Sequence, residues 1–125
     1  MKFSKIKSHA KVNLVLNVLS KNSSLHKIES IIVFINLHDD IMIKKIKSKK
    51  HDIKFIGKFS KNISKKNTIS TLFEILEKRK ILNNKKFKII IHKRIPNKAG
   101  LGGGSMNAAN ILKFLVKRRI IRIDN

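Results

Sequence analysis

The 125-residue chain has no cysteine, no tryptophan and no tyrosine. Without thiols, disulfide frameworks, thiolate nucleophiles and Cys-ligated zinc are excluded. Without Trp and Tyr, only Phe is left to stack on a nucleic-acid base. Acids are scarce as well, seven Asp and Glu against 30 Lys and Arg, for a formal net charge of +23. No apolar run approaches the roughly 18 residues that a membrane-spanning helix needs. Lys11, Asn13 and Asn17 break up any signal-like stretch behind the N-terminal lysines, so the default expectation is a cytoplasmic protein.

What is present suits one globular domain. Hydrophobic residues make up 42% of the chain, enough to bury a core at this length. The basic surplus first suggests nucleic acid. Its distribution argues otherwise: the cations are spread along the whole chain, and Lys outnumbers Arg about five to one, whereas Arg is the better residue for bidentate phosphate contacts. Ile, Lys and Asn together form almost half the chain, and all three have AT-rich codons. Drift in an AT-rich genome therefore accounts for the charge without a selected partner.

Along the chain, 11–18 alternates with Val12, Leu14, Leu16 and Val18 on one face, the mark of a half-buried strand. A polar loop over 20–27 leads to an apolar, central strand at about 28–37. His38, Asp39 and Asp40 are expected to turn the chain, with 41–47 and 52–56 as lysine-rich edge strands. Ile69, Leu72, Phe73 and Leu76 recur at helical spacing over about 68–80, with Asn67 where an N-cap belongs. Phe87, Ile89 and Ile91 point inward from a strand at 86–94, which Pro96 ends. A glycine-rich loop over 97–104 then opens a last helix marked by Ala108, Ile111, Leu112, Leu115 and Val116. The order of elements gives an α+β domain with no visible internal boundary.

The segment from Arg94 to Leu112, RIPNKAGLGGGSMNAANIL, carries the chemistry. Gly100, Gly102, Gly103 and Gly104 lie between a strand and an amphipathic helix, where glycine lets an anion approach the backbone. The following helix presents free N–H groups and a positive dipole end, the makings of a phosphate site. No Gly-Lys-Ser/Thr follows, so it is not a Walker A loop; the βαβ context of a dinucleotide fingerprint is missing too. Read alone, the loop can equally be a tight turn with Ser105 as an ordinary N-cap.

Pro96, Gly100, Leu101, Gly102, Gly103, Gly104 and Ser105, followed by Ala108 and Ala109, resemble the glycine-rich motif of the GHMP small-molecule kinases. AKVNLVLNV at 10–18 resembles the opening of one branch of that family, and His26, Glu29, Ser30, Asn36, Leu37, Asp39, Asp40 and Asn67 fit its register. The resemblance implies a fold of the ribosomal-protein-S5-domain-2-like type, a mixed sheet packed with helices, with 1–125 as the N-terminal ATP-binding domain. It implies ATP and magnesium as cofactors. The implied activity is phosphorylation of the 2-hydroxyl of 4-diphosphocytidyl-2-C-methyl-D-erythritol, a step of non-mevalonate isoprenoid precursor synthesis.

Site roles follow from the resemblance residue by residue. Lys11 is the active-site lysine beside the reacting hydroxyl and the γ-phosphate, and Asn13, about 7 Å along the same strand face, binds substrate. His26 recognises the cytosine ring, but Leu25 stands where relatives usually carry a stacking aromatic. Asn67, Pro96, Gly100, Leu101, Gly102, Gly103, Gly104, Ser105 and Met106 surround ATP, Met106 replacing a second serine of many relatives. Blander readings stand beside these: solvated strand positions for Lys11 and Asn13, a loop histidine for His26, a helix cap for Asn67. The metal ligands are not identified.

The Gly-Ala-Asp-like segment with the family's catalytic Asp does not occur within these 125 residues, and the second domain of the substrate cleft is not represented. The expectation is the N-terminal portion of a kinase, inactive by itself. Two other readings remain: a degraded remnant under relaxed selection, and a basic nucleic-acid-binding module on the same fold, whose binding would fall steeply with salt.

Overall fold

The computed structural model describes residues 2–18, 27–96 and 102–124, with the backbone alone over 12–18 and 27–34. Four strands, β1 (Ser4–Val18), β2 (Lys27–Ile46), β3 (Asp52–Ile56) and β4 (Lys86–His92), form one sheet in the order β1-β2-β4-β3. β2 pairs antiparallel with β1 and with β4, whereas β3 runs parallel to β4. Two helices, α1 (Thr68–Lys78) and α2 (Gly103–Lys117), complete the mixed α+β fold.

The core lies between the helices and one face of the sheet. Phe87, Ile89 and Ile91 of β4 alternate with half-buried neighbours, and Ile41 and Ile43 of β2 join them. From the helices, Ile69, Phe73 and Leu76 of α1 and Ile111 and Leu115 of α2 close over this face, as their helical spacing requires. Asn67 caps α1 as expected: its Oδ1 accepts the N–H groups of Ile69 and Ser70, each at 3.0 Å, and the Ser70 hydroxyl takes the Asn67 N–H at 2.8 Å. That is a reciprocal capping box.

Three expectations change. His38, Asp39 and Asp40 do not turn the chain; they pair with His9, Ser8 and Lys7 inside an unbroken β2. The segment 41–47 is accordingly not an edge, because β1 flanks it on one side and β4 on the other. An Asp-Asp pair favours turns locally, but here the inward Asp39 finds tertiary partners and the strand continues. Third, the glycine loop ends early. Gly103 and Gly104 are already helical, Gly102 is the N-cap in the left-handed region (φ 65°, ψ 22°), and Ser105 lies inside the first turn. The buried stripe of α2 begins at Asn107, while Val116 is 42% exposed.

Candidate functional site

β1 changes register between His9 and Lys11, with Ala10 opposite three residues of β2. His9 Nδ1 donates to the Ile35 carbonyl at 3.1 Å, satisfying backbone freed by the bulge. Ser8 and Ala10 are fully buried, and Asn110 of α2 donates to the Ser8 hydroxyl at 3.0 Å. These contacts dock α2 on β1 and fix where Lys11 emerges. Bulges re-aim side chains in this way.

Lys11 reaches the start of α2. A Cβ placed on Gly102 would lie 2.7 Å from Lys11 Cε, so the lysine stem runs directly across the glycine. Only glycine accommodates both that approach and the positive φ without strain. Residues 91 positions apart in the sequence are thus in contact. No side chain caps α2, so its first N–H groups lack both an intrahelical partner and a side-chain acceptor. Met106 N–H makes the first helical bond, to the Gly102 carbonyl at 2.9 Å. Gly104 and Ser105 are exposed, and Lys11 has no carboxylate partner among the described residues. A lone ammonium over free N–H groups at a helix N-terminus attracts phosphate.

The Thr68 hydroxyl donates to the Gly104 carbonyl at 2.8 Å, tying the N-terminus of α1 to that of α2. A cleft of about 720 Å³ opens between them, with Phe55, Ile63 and Ile69 as apolar walls and Lys61, Asn67, Thr68, Lys93, Gly104 and Asn107 as polar ones. Its size and mixed lining suit a small ligand. Asn67 Oδ1 is fully engaged in capping and Nδ2 donates to the Ser64 carbonyl at 3.0 Å.

Behind the glycines lies a charged cluster that sequence reasoning missed. Asp39 is fully buried and accepts four hydrogen bonds: Lys93 Nζ at 2.5 Å, Asn107 Nδ2 at 3.0 Å, and the N–H groups of Arg94 at 2.6 Å and Ile95 at 2.9 Å. Burial pushes the Asp39 carboxyl up, but the bonds from Lys93, Ile95, Arg94 and Asn107 outweigh it and hold the group below its ordinary value. The clasp joins β2, the segment leaving β4 and the second turn of α2. Lys93 Nζ would be 3.5 Å from a Cβ on Gly103, directly behind the first turn of α2. One signal was available in the sequence: with seven acids in the chain, an Asp adjoining an apolar strand is conspicuous.

Pro96 is half-buried where the chain leaves β4. His26, Gly100 and Leu101 lie outside the described residues, and Asn13 is placed by its backbone alone, opposite Ile32.

Residues 66–118 match the family model described as the GHMP kinases N terminal domain. The 4-diphosphocytidyl-2-C-methyl-D-erythritol kinase of Pelagibacter ubique (strain HTCC1062) is 60% identical over 119 residues, covering 95% of this chain and 42% of the relative. Residues 66–118 of the chain carry a GHMP kinase N-terminal domain. The kinase of the same name from Finegoldia magna is 39% identical over 124 residues, 97% of this chain and 43% of the relative. A crystal structure of 4-(cytidine 5'-diphospho)-2C-methyl-D-erythritol kinase superimposes with a TM-score of 0.67 at 26% identity, covering 97% of this chain and 42% of that one. Homoserine kinase from Cytophaga hutchinsonii shares the fold, with a TM-score of 0.56 at 19% identity over 92% of this chain and 36% of its own. The chain spans about two fifths of the length of the curated relatives it matches.

The Lys11–Gly102 contact and the two converging helix N-termini can hold a phosphate chain. Magnesium fits less well. No group of three or more His, Asp or Glu able to hold a metal occurs among the described residues, and Asp39 is closed off by its four bonds. Ser105 offers one hydroxyl near the loop, whereas magnesium usually takes one or two carboxylates besides phosphate and water. No described helix is long and apolar enough to cross a membrane.

Proposed function

We propose that this chain is the N-terminal, ATP-binding part of a cytoplasmic kinase that transfers the γ-phosphoryl group of ATP to the 2-hydroxyl of 4-diphosphocytidyl-2-C-methyl-D-erythritol. The observation that carries the reading is Lys11 lying across Gly102 at the uncapped start of α2. The N–H groups of the first turn hold the phosphates, and the Lys11 ammonium stabilises charge on the phosphoryl group in transfer. The mixed cleft between α1 and α2 takes the rest of the nucleotide, with Asn67 fixing its wall; by the family resemblance Pro96, Gly100 and Leu101 also contribute to ATP binding. Ser105 and Met106 close the first turn. Asn13 and His26 bind the substrate, which approaches along β1.

Magnesium comes with the nucleotide, since this part of the chain brings no carboxylate to it. The remainder of the substrate cleft and the catalytic base belong to the additional length that the relatives possess. These 125 residues by themselves bind nucleotide weakly and turn over little.

Calorimetric titration with ATP and magnesium, on this chain and on Gly103→Asp, tests the reading. A saturable component that the variant loses is expected, distinct from any ATP held through its phosphates elsewhere on the chain. Equal binding by both proteins would overturn it, and so would substantial ATP-dependent phosphorylation by the 125 residues alone.

A further inference from the structure

The chain carries 25 lysines and only five arginines, yet four of the five, Arg79, Arg118, Arg119 and Arg122, lie at or just beyond the C-terminal ends of the helices. α1 and α2 end alike. Each has an arginine C-cap (Arg79, Arg118), then a basic residue in the left-handed region (Lys80 at φ 55°, Arg119 at φ 57°), then an isoleucine. The Ile81 N–H bonds back to the Leu76 carbonyl at 3.0 Å and the Ile120 N–H to that of Leu115 at 2.9 Å. That closing geometry normally takes glycine. Here both places hold long cationic side chains despite the conformational cost.

The two endings lie side by side. Lys85 Nζ donates to the Ile120 carbonyl at 2.8 Å, bridging them. Between them is a concave cleft of about 410 Å³ lined by Arg79, Lys80, Lys85, Arg119 and Arg122, with Asp124 its only acid. Helix C-termini attract cations for structural reasons, but two of them offer only about half a negative charge each. After Asp124 and both helix ends are counted, about three positive charges remain. Three guanidinium groups present planar donor forks of the kind that pair with phosphate oxygens. No aromatic side chain lines the cleft, so it offers no platform for a base. α2 has 15 residues, which puts this cleft about 20 Å from the glycine loop.

We infer that the paired C-terminal ends of α1 and α2 form a second anion site, separate from the kinase site, that binds a short chain of linked phosphates without reading a base. The inference does not rest on the kinase reading.

Inorganic tripolyphosphate is the probe, titrated by calorimetry into Gly103→Asp so that the glycine loop does not contribute. In that background, Lys80→Gly with Arg119→Gly removes two of the cations and also relieves two left-handed residues, so the protein should melt no lower than its parent. Lys54→Gln with Lys65→Gln removes the same charge from exposed positions elsewhere. The expected result is saturable one-to-one binding that the glycine pair weakens at least about tenfold and the glutamine pair leaves within about twofold. No saturable binding in the Gly103→Asp background would overturn the inference, as would equal weakening by both pairs. Displacement of tripolyphosphate by single-stranded oligonucleotides with affinity rising with their length would overturn it too, making the surface a nucleic-acid track.

Discussion

Asp39 and Lys93, 54 residues apart, meet at 2.5 Å with side chains 0% and 4% exposed. The pair lies directly behind Gly103 and locks the segment leaving β4 to the second turn of α2. A buried ion pair is weak evidence for stability, because an apolar pair of similar volume often serves as well. Breaking one by removing a single partner is another matter. Asp39→Ala strands the Lys93 ammonium and three donors, so a loss of about 3–5 kcal/mol is expected in urea unfolding. The double variant Asp39→Leu with Lys93→Met should lose less than Asp39→Ala alone, and a larger loss would contradict this account of the clasp.

Gly102 stands where backbone conformation and the Lys11 contact coincide. Gly102→Ala puts a non-glycine residue at φ 65°, at an expected cost of about 1–2 kcal/mol in thermal unfolding. Its Cβ also pushes the Lys11 stem aside. Lysine is flexible enough to yield, so the greater effect should be on nucleotide affinity, which titration of the folded variant measures.

Stability should fall as the solution is acidified below neutrality. His51 Nε2 donates to Glu77 at 2.9 Å, and its Nδ1 accepts the Phe87 N–H at 3.1 Å, which fixes the neutral imidazole. Burial, against the opposing hydrogen bond to Glu77, lowers its protonation below the ordinary 6.5. The unfolded chain therefore takes up this proton first, and stability is lost as pH drops through 6.5 toward the lower folded value. Urea midpoints between about pH 7.5 and 5 should show the slope, and His51→Gln should flatten it.

Glu77 extends the same behaviour to lower pH. Its hydrogen bond from Lys86, at 2.6 Å, holds its carboxyl below the ordinary 4.5. This contribution is present above 4.5 and is lost as pH falls through the folded value. Glu77→Gln should therefore flatten the Glu77 part of the acid limb, while the His51 limb persists and deepens, because the carboxylate that opposed the effect of burial on His51 is gone.

Much of the fold was legible because the decisive signals were local. The period of Ile69, Phe73 and Leu76, the cap at Asn67 and the alternation of Phe87, Ile89 and Ile91 each depend on neighbours in sequence. The unbroken β2 was not legible, since Asp39 and Asp40 suit a turn by local chemistry and only partners 54 to 68 residues away hold Asp39 in a strand. For the same reason the glycine motif and Lys11 could be picked out singly, while their contact depends on the bulge at Ala10. The cap at Gly102 was hidden by Ser105, the better capping residue by type.

The most direct test of a phosphate site at this helix start is an ADP titration followed by amide proton–nitrogen NMR on the isotope-labelled chain. Saturable shifts concentrated at Gly102, Gly103, Gly104 and Ser105, with Lys11 moving at the same ligand concentrations, are predicted. Saturable shifts elsewhere while those five amides stay still would contradict the account.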